Sequence, residues 1–195
     1  MPDRRTVVLS SLGVAAGLLV RGRPARTEHY ELEMNDAGLY KQPFFIQSFL
    51  DLAEDVAMAR DEGKHFAVVW ELKGCPYCEK MHRVNFADHE IRQFVSENFA
   101  LLQLNIRGSR RVTDFDGEVL AEKRLAQKWR VRVTPTTNFF PANPADAEGK
   151  PGHKAEVARL RGYFEPPGFL AMYRFVAEQA YRDMDFESYM EQTTS

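Results

Sequence analysis

The two cysteines of this 195-residue chain, Cys75 and Cys78, stand three positions apart in the stretch KGCPYCEKMH. Two thiols at this spacing can act as a redox pair, form half of a metal site or close a structural disulfide. A disulfide that closes so short a loop adds little stability compared with one that closes a long loop. A structural role is therefore the weakest interpretation, and a redox pair or a metal site remains.

The residues around the pair place it at the junction of a strand and a helix. The apolar run HFAVVWEL precedes Gly74, and a helical pattern follows over residues 76–99. We therefore expect Cys75 at a helix N-terminus, where unpaired N–H groups and the helix dipole favour its thiolate. Pro76 suits the first helical turn, which needs no N–H donor. Cys78 lies one turn further in, from where it can attack a mixed disulfide formed by Cys75.

A proline stands where the pattern otherwise predicts a strand. Pro135 follows Thr134 in RVTPTTNFFP, and a proline cannot donate a hydrogen bond to a strand ladder. A cis Thr134–Pro135 bond at the start of the strand accounts for this residue. The exposed backbone of Thr134 can then pair with an extended substrate, as in strand addition.

The remaining elements predict an α/β layer architecture, with a central mixed sheet flanked by helices. Apolar residues at helical spacing predict a helix over 43–62 that ends at Gly63, and Asp88 is a candidate cap for a second segment within 76–99. Further helices are predicted from LAEKRLAQKWRV and from EPPGFLAMYRFVAEQAYRDMDFESYM, the latter a long C-terminal helix. ALLQLNI and AEVARLRGY are predicted strands, and RGSRRVTDFDGEVL is a predicted polar loop.

Composition and charge favour one globular domain. The chain is 44% hydrophobic and 12% aromatic, and its net charge of −2 gives no indication of a nucleic acid partner. We divide the chain into an export signal or signal anchor (1–22), a linker or N-terminal arm (23–43) and a domain (44–195).

The N-terminus has the pattern of a leader sequence. Arg4 and Arg5 precede an uncharged stretch over 6–20, which is typical of a twin-arginine export signal and short for a membrane span. Arginines at 21, 23 and 26 follow the apolar stretch, where positive charge hinders translocation. The paired arginines and the uncharged stretch lead us to expect export to the periplasm. The arginines that follow the stretch make an uncleaved anchor the alternative.

Three motifs carry a family resemblance: GCPYC (74–78), VTDFDGEVLAEKRLAQKWRVRVTPT (112–136) and ARLRGY (158–163). Together they resemble the thioredoxin superfamily and, within it, the SoxW-type periplasmic thioredoxins of bacterial sulfur-oxidation operons. The resemblance implies a thioredoxin-like fold, Cys75 as nucleophile, Cys78 as resolving cysteine and Pro135 as a cis proline. It also implies a redox-active Cys75–Cys78 disulfide in place of a cofactor.

The same resemblance implies partners. A membrane thiol transporter would supply electrons, and a sulfur-oxidation protein would receive them as the protein disulfide substrate. In this fold the turn at Pro135 lies beside the cysteine pair. We therefore expect Pro76, Tyr77, Thr134 and Pro135 to form the substrate-binding surface.

The chain departs from cytoplasmic thioredoxins on the strand before the pair. They carry a buried aspartate six residues before the first cysteine, where this chain has Val69. Glu71 is the nearest acid, and strand alternation puts it on the same face as Val69. We expect an exposed acid at the strand end, with proton transfer by Glu71 as the alternative.

Two hypotheses compete with an oxidoreductase. His82 follows Cys78 by four residues on the same helix face, so Cys75, Cys78 and His82 are three candidate ligands for a copper-handling site. No fourth ligand or Met-rich motif is evident, and we prefer a solvent-facing His82 and no metal. A thioredoxin-fold binding module is the third hypothesis, which the intact Cys75, Cys78 and Pro135 argue against.

The stretch TDFDGE places three acids close to a glycine, a composition that calcium loops share. Asp114, Asp116 and Glu118 lack the full ligand spacing of such a loop. We therefore interpret residues 112–118 as a surface loop for partner recognition.

Overall fold

A computed structural model describes residues 32–194, in which strands and helices alternate. The strands in this range are β1 (His65–Glu71), β2 (Phe99–Asn105), β3 (Arg111–Thr113), β4 (Val119–Ala121), β5 (Thr136–Phe139) and β6 (Ala158–Arg161). The α-helices are α1 (Leu52–Asp61), α2 (Pro76–Lys80), α3 (His89–Asn98), α4 (Glu122–Lys128), α5 (Gly152–Ala155), α6 (Pro166–Ala177) and α7 (Phe186–Thr194). A π-helix covers Met81–Asn85, and 3₁₀ turns cover Pro144–Asp146 and Ala180–Arg182.

Four strands form one mixed sheet in the order β2–β1–β5–β6. Strands β1 and β2 are parallel, whereas β5 runs antiparallel to both β1 and β6. Strands β3 and β4 form a separate antiparallel hairpin. The predicted α/β class with a mixed central sheet flanked by helices is therefore confirmed.

Strand β1 lies in the middle of the molecule and buries both faces. Phe66, Val68 and Trp70 pack into a core that includes side chains of α1 and α4. Val69 packs on the other face, into a core that includes side chains of α3, α6 and the π-helix. Because side chains alternate along a strand, Glu71 shares the face of Val69 and points toward the helical segment that carries the cysteines.

Local signals in the sequence account for the start and end of several elements. The Asp51 carboxylate accepts hydrogen bonds from two N–H groups in the first turn of α1, at 3.1 and 3.2 Å. Gly63 ends that helix with a φ of 72°. Asp88 caps α3 through the N–H of Ile91 at 3.0 Å, as its position predicted.

The first predicted helix is shorter than the apolar spacing indicated. Residues 43–50 are not helical, and Phe49 is fully exposed. Instead, the N–H of Ile46 donates to the carbonyl of Leu101 on β2 at 2.9 Å, and Leu50 takes a left-handed φ of 65°. Pairing with the edge of the sheet therefore replaces helical hydrogen bonds in this segment.

The predicted loop after β2 contains the β3–β4 hairpin, and its acidic stretch is a surface loop only in part, since Asp116 and Glu118 are exposed. Asp114 and Phe115 are buried. The Asp114 carboxylate accepts hydrogen bonds from Trp129 Nε1 at 3.1 Å and from the Gly152 N–H at 3.0 Å, and it pairs with Lys128 at 2.8 Å. The stretch therefore anchors the hairpin to the core.

The predicted long C-terminal helix is broken into two. Helix α6 ends before Gln179, which takes a left-handed φ of 53°, and α7 begins at Phe186 after a 3₁₀ turn. This reversal lets the rings of Phe186 and Tyr189 pack against Phe175, with centroid distances of 5.5 and 5.3 Å. Burial of these aromatic rings favours the turn over a continuous helix.

The leader predicted for residues 1–22 lies outside the described residues. Within 32–194, none of the helices combines the length and the apolar character that crossing a bilayer requires. The described part of the predicted arm, residues 32–43, packs on the domain: Leu39, Tyr40 and Gln42 are buried.

Candidate active site

The Cys75 sulfur occupies the N-cap position of α2. Its backbone is extended, with φ −77° and ψ 115°, and Pro76 takes the first helical position. Gly74, which precedes the cap, has a φ of 73° that a residue with a side chain rarely adopts. The Sγ atom accepts a hydrogen bond from the N–H of Cys78 at 3.2 Å. The sulfur therefore occupies the place of a capping oxygen, where a negative charge is favoured.

Thr134 completes the surroundings of this sulfur. Its hydroxyl donates to Cys75 Sγ at 3.3 Å, and the thiol donates to the Thr134 carbonyl at 3.4 Å. The Thr134–Pro135 bond is cis, as the sequence predicted. A Cys75 thiolate would keep two donors, the Cys78 N–H and the Thr134 hydroxyl, and charge-assisted hydrogen bonds of this kind are the stronger ones.

The two thiols differ in access. Both cysteines are free, and Cys75 retains 8% of its surface whereas Cys78 retains 1%. Burial raises the pKa of the Cys78 thiol, and the hydrogen bond with Cys75 and the negative charge of Glu71 add to the rise. At neutral pH, Cys78 is therefore a protonated thiol behind the accessible Cys75.

This difference predicts the order of alkylation. In the reduced protein at pH 6, iodoacetamide should label Cys75 at least ~10-fold faster than Cys78, because Cys78 is almost fully buried and its raised pKa keeps it in the unreactive thiol form. A raised pKa delays loss of the proton to higher pH, so labelling of Cys78 should rise with each pH unit up to at least pH 9. Peptide mass spectrometry after a timed quench measures both rates. Faster labelling of Cys78 at pH 6 would reverse the roles assigned to the two cysteines.

Glu71 is buried at the end of β1, contrary to the exposed acid that we expected. Its Oε1 atom accepts hydrogen bonds from His82 Nε2 at 2.9 Å and from Gln103 Nε2 at 3.0 Å. The Oε2 atom is also buried and has no hydrogen-bond partner among the described residues. The expectation fails because residues 32–45 cover this end of the strand: Tyr40 supplies its carbonyl to Gln103 at 2.7 Å.

His82 is also fully buried, so the prediction of a solvent-facing side chain is wrong. Its Nδ1 atom lies 2.8 Å from Gln42 Nε2, and its ring contacts Tyr40, Phe45 and Phe86. The Gln42 amide nitrogen can only donate, so the ring is held with Nδ1 as acceptor and Nε2–H as donor to Glu71. Helical spacing placed His82 on the face of Cys78 but gave no indication of the segment that covers it.

This arrangement bears on the copper hypothesis, because both ring nitrogens of His82 already have partners. Across residues 32–194, no group of three His, Cys, Asp or Glu side chains is arranged to hold a metal ion. Neither nitrogen is therefore free to join Cys75 and Cys78 as a third ligand.

The outer surface of the site is aromatic on one side. Tyr77 is 60% exposed and stacks on Tyr163 with a centroid distance of 6.4 Å. Lys80 Nζ lies 4.2 Å above the Tyr163 ring and pairs with Glu165 at 2.7 Å. Of the predicted substrate residues, Pro76 and Tyr77 belong to the helix that Cys75 caps, and Thr134, next to Pro135, contacts the Cys75 sulfur.

Sequence reasoning missed the polar residues behind the thiols, namely Gln42, Gln103 and the carbonyl of Tyr40. One signal was present: Gln103 interrupts the apolar strand ALLQLNI, and a polar side chain in a buried strand needs a partner. That partner is Glu71, which faces Gln103 from the neighbouring strand. The register pairs Val69 with Gln103 and Glu71 with Asn105, so the contact is diagonal.

Comparison with known proteins agrees with this geometry. A family model described as a thioredoxin-like domain matches residues 52–177. No curated protein matches the chain. Among solved structures, a thioredoxin-fold protein from Helicobacter pylori superposes with a TM-score of 0.51 at 23% identity, covering 68% of this chain and 85% of that one. This likeness supports the fold.

Two further solved structures are similar over shorter stretches. A thioredoxin from Thermus thermophilus has a TM-score of 0.48 at 24% identity, covering 63% of this chain and 81% of that one. The reduced C-terminal domain of DsbD from Neisseria meningitidis has a TM-score of 0.42 at 14% identity, covering 63% and 90%.

Proposed function

Because the chain belongs to the thioredoxin-like domain family, we propose that it is a thiol–disulfide oxidoreductase that reduces protein disulfides with Cys75 and Cys78. The observation that carries this proposal is the pair of thiols itself. One sulfur caps a helix and is reachable, and the other lies one turn behind it and is buried. A binding module would need neither thiol.

The first step is attack by Cys75 on a substrate disulfide. The Cys75 thiolate bonds to one substrate sulfur, the substrate S–S bond breaks, and the departing sulfur leaves as a thiolate that takes up a proton. The Cys78 N–H and the Thr134 hydroxyl hold the attacking sulfur in place before bond formation. The product of this step is a mixed disulfide between Cys75 and the substrate.

The second step is resolution by Cys78. Its thiol loses a proton and attacks Cys75 Sγ, which releases the second substrate sulfur as a thiol and leaves a Cys75–Cys78 disulfide. Two electrons pass from the dithiol to the substrate, and no further cofactor is needed. Because its pKa is raised, Cys78 needs a proton acceptor, and we assign that role to the buried Glu71 carboxylate held by His82.

The cellular setting belongs to the same proposal. The leader predicted for residues 1–22 and the motifs CPYC and VTDFDGE favour a periplasmic protein that delivers electrons to a sulfur-oxidation protein, with a membrane thiol transporter as donor. Thiol–disulfide exchange is reversible. To act as a reductase in an oxidising compartment, the protein therefore requires continual re-reduction of the Cys75–Cys78 disulfide.

Rapid acid quenching of growing cells, followed by alkylation, tests the direction of electron flow. We expect Cys75 and Cys78 to be mostly thiols during growth and to become a disulfide when the membrane donor is deleted. Mass shifts on a gel report the two states. A pair that stays oxidised with the donor present would assign the protein to disulfide formation instead of reduction.

A further inference from the structure

A group of exposed cations lines two depressions next to Thr134, which contacts the Cys75 sulfur. It consists of Arg107, Lys123, Arg130, Arg132 and Arg161, and we call it the basic surface. None of the five forms an ion pair within the described range of 32–194. The whole chain has a net charge of −2, so this concentration of unpaired positive charge is local.

Two shallow depressions divide the basic surface between them. The first is lined by Arg130, Arg132 and Arg161, and the second by Arg107, Lys123 and Arg132. They meet at Arg132, and Thr134, which contacts the Cys75 sulfur, lines the second. Neither depression has an acidic lining residue. A substrate that reaches Cys75 across these depressions therefore meets positive charge alone.

The sheet register shows how far this surface extends. Glu71 pairs with Asn105 on β2, Trp70 pairs with Thr136 on β5, and Thr136 pairs with Arg161 on β6. Arg107 follows β2 and Arg161 ends β6, so the two arginines lie at opposite edges of the sheet but at the same end as Cys75. Three inter-strand spacings separate the edges, about 14 Å. An extended polypeptide covers that distance with roughly four residues.

We propose that the basic surface binds an acidic, extended segment of the protein substrate, next to the disulfide that Cys75 attacks. This inference rests on the oxidoreductase function proposed above. Charge complementarity selects the partner, because an extended segment of about four acidic residues spans the width of the sheet and brings alternate carboxylates toward the cations. Complementary charge of this kind raises the association rate more than it extends the lifetime of the complex. Salt screens the attraction and reduces this effect.

Three matched peptides test the proposal. Each carries the same intramolecular disulfide with a fluorophore and quencher, and four flanking positions are all Glu, all Gln or all Lys. With an excess of reduced protein over peptide in 20 mM salt, each peptide is reduced in a single turnover, and we expect the second-order rate constant for the Glu peptide to exceed that for the Gln peptide by about tenfold, with the Lys peptide slowest. In ~0.5 M salt the three values should converge to within about twofold.

Two variants with the same change in net charge test whether the preference for the Glu peptide depends on the basic surface. The variant R107Q/R132Q/R161Q should reduce the Glu-to-Gln ratio to about twofold or less. The control K150Q/K154Q/R182Q removes three exposed cations next to another depression, whose lining includes neither Thr134 nor any residue of the basic surface, and should keep the ratio of the native protein. Equal loss of the ratio in both variants would assign it to net charge and overturn the proposal.

Two small probes separate this inference from the function on which it rests. The neutral disulfide 4,4′-dithiodipyridine should react equally with the native protein and both variants. If neither this probe nor any peptide exchanges, the oxidoreductase function fails. If all exchange at rates independent of charge, only the acidic-segment inference fails. Oxidised glutathione is the second probe. If it reacts as fast as the Glu peptide and is slowed equally by R107Q/R132Q/R161Q, the basic surface binds a small anion, and the proposal of an extended segment is overturned.

Discussion

Replacing Cys78 with serine is expected to convert the protein into a trap that keeps one substrate sulfur on Cys75. The first exchange uses Cys75 alone, so the variant should still attack a disulfide at a rate within about tenfold of the native protein. Resolution then has no thiol to perform it. With 4,4′-dithiodipyridine, the native protein should release two thiopyridone molecules in two phases, and Cys78→Ser should release one.

The complementary variant, Cys75→Ser, supplies the control. A serine hydroxyl at the N-cap keeps the helix start, since serine is a favoured capping residue. Cys78 is buried and its pKa is raised, so it should not take over the attack. Exchange should fall by about 10³-fold or more, because no thiolate remains at the surface. A Cys75→Ser protein that still releases thiopyridone at the native rate would show that Cys78 is the attacking thiol.

In cells, the same Cys78→Ser variant can be used to identify the protein substrate. Cys78→Ser expressed as the full chain should form disulfide-linked complexes that disappear on reduction, whereas Cys75→Ser should form none. Mass spectrometry of the captured proteins names the substrate and tests the expected sulfur-oxidation protein. Capture of many unrelated exported proteins would instead indicate a broad disulfide reductase.

The part of the site that sequence predicted is the part formed by local pattern. The order strand, Gly74, Cys75, helix predicts the N-cap position of the sulfur, because strand and helix periods differ and glycine adopts the positive φ between them without strain. The cis bond before Pro135 was predicted for a similar reason, since a proline within a strand pattern cannot donate to the ladder. Both signals lie within a few residues of the group that they position.

The part that sequence missed is formed by contacts between distant segments. Glu71 and His82 are buried because residues 32–45 cross over them, and Gln42 and Tyr40 belong to a stretch whose composition indicated an arm or linker. Helical spacing at 43–50 was overridden by pairing of Ile46 with the edge strand β2. Periodicity describes one element at a time, so it cannot show which segment covers another.

We expect the buried Glu71 carboxylate behind the thiols to have a kinetic role that can be measured. In the native protein, Cys78 must lose its proton in a place where burial opposes the thiolate. General base assistance typically contributes 10²–10⁴-fold to such a step. Glu71→Gln should therefore slow the second thiopyridone release by about 10²-fold at pH 7, equivalent to about 2.7 kcal/mol in the barrier. The first release should change little, because Cys75 has its own hydrogen-bond donors.

Glutamine suits this test because its carbonyl oxygen can still accept from His82 and Gln103, so the packing around position 71 is retained. A matched control is Glu122→Gln. Glu122 is another buried glutamate, and its carboxylate accepts from the Asn105 N–H at 2.9 Å and from Arg110 at 2.6 Å. Glu122→Gln should leave both release phases unchanged, and urea unfolding of each variant shows whether the fold is intact.

Two effects of Glu71→Gln oppose each other, and pH separates them. Removing the negative charge lowers the pKa of Cys78, since that charge helps to raise it, and this alone would speed resolution at neutral pH. Burial is the larger cause of the raised pKa and persists in the variant, so loss of the proton acceptor should dominate. The variant should then depend on hydroxide, with its second phase rising about tenfold per pH unit and approaching the native rate at about pH 9. A second phase that is faster than native at pH 7 would mean that Glu71 restrains Cys78 by its charge and does not accept the proton.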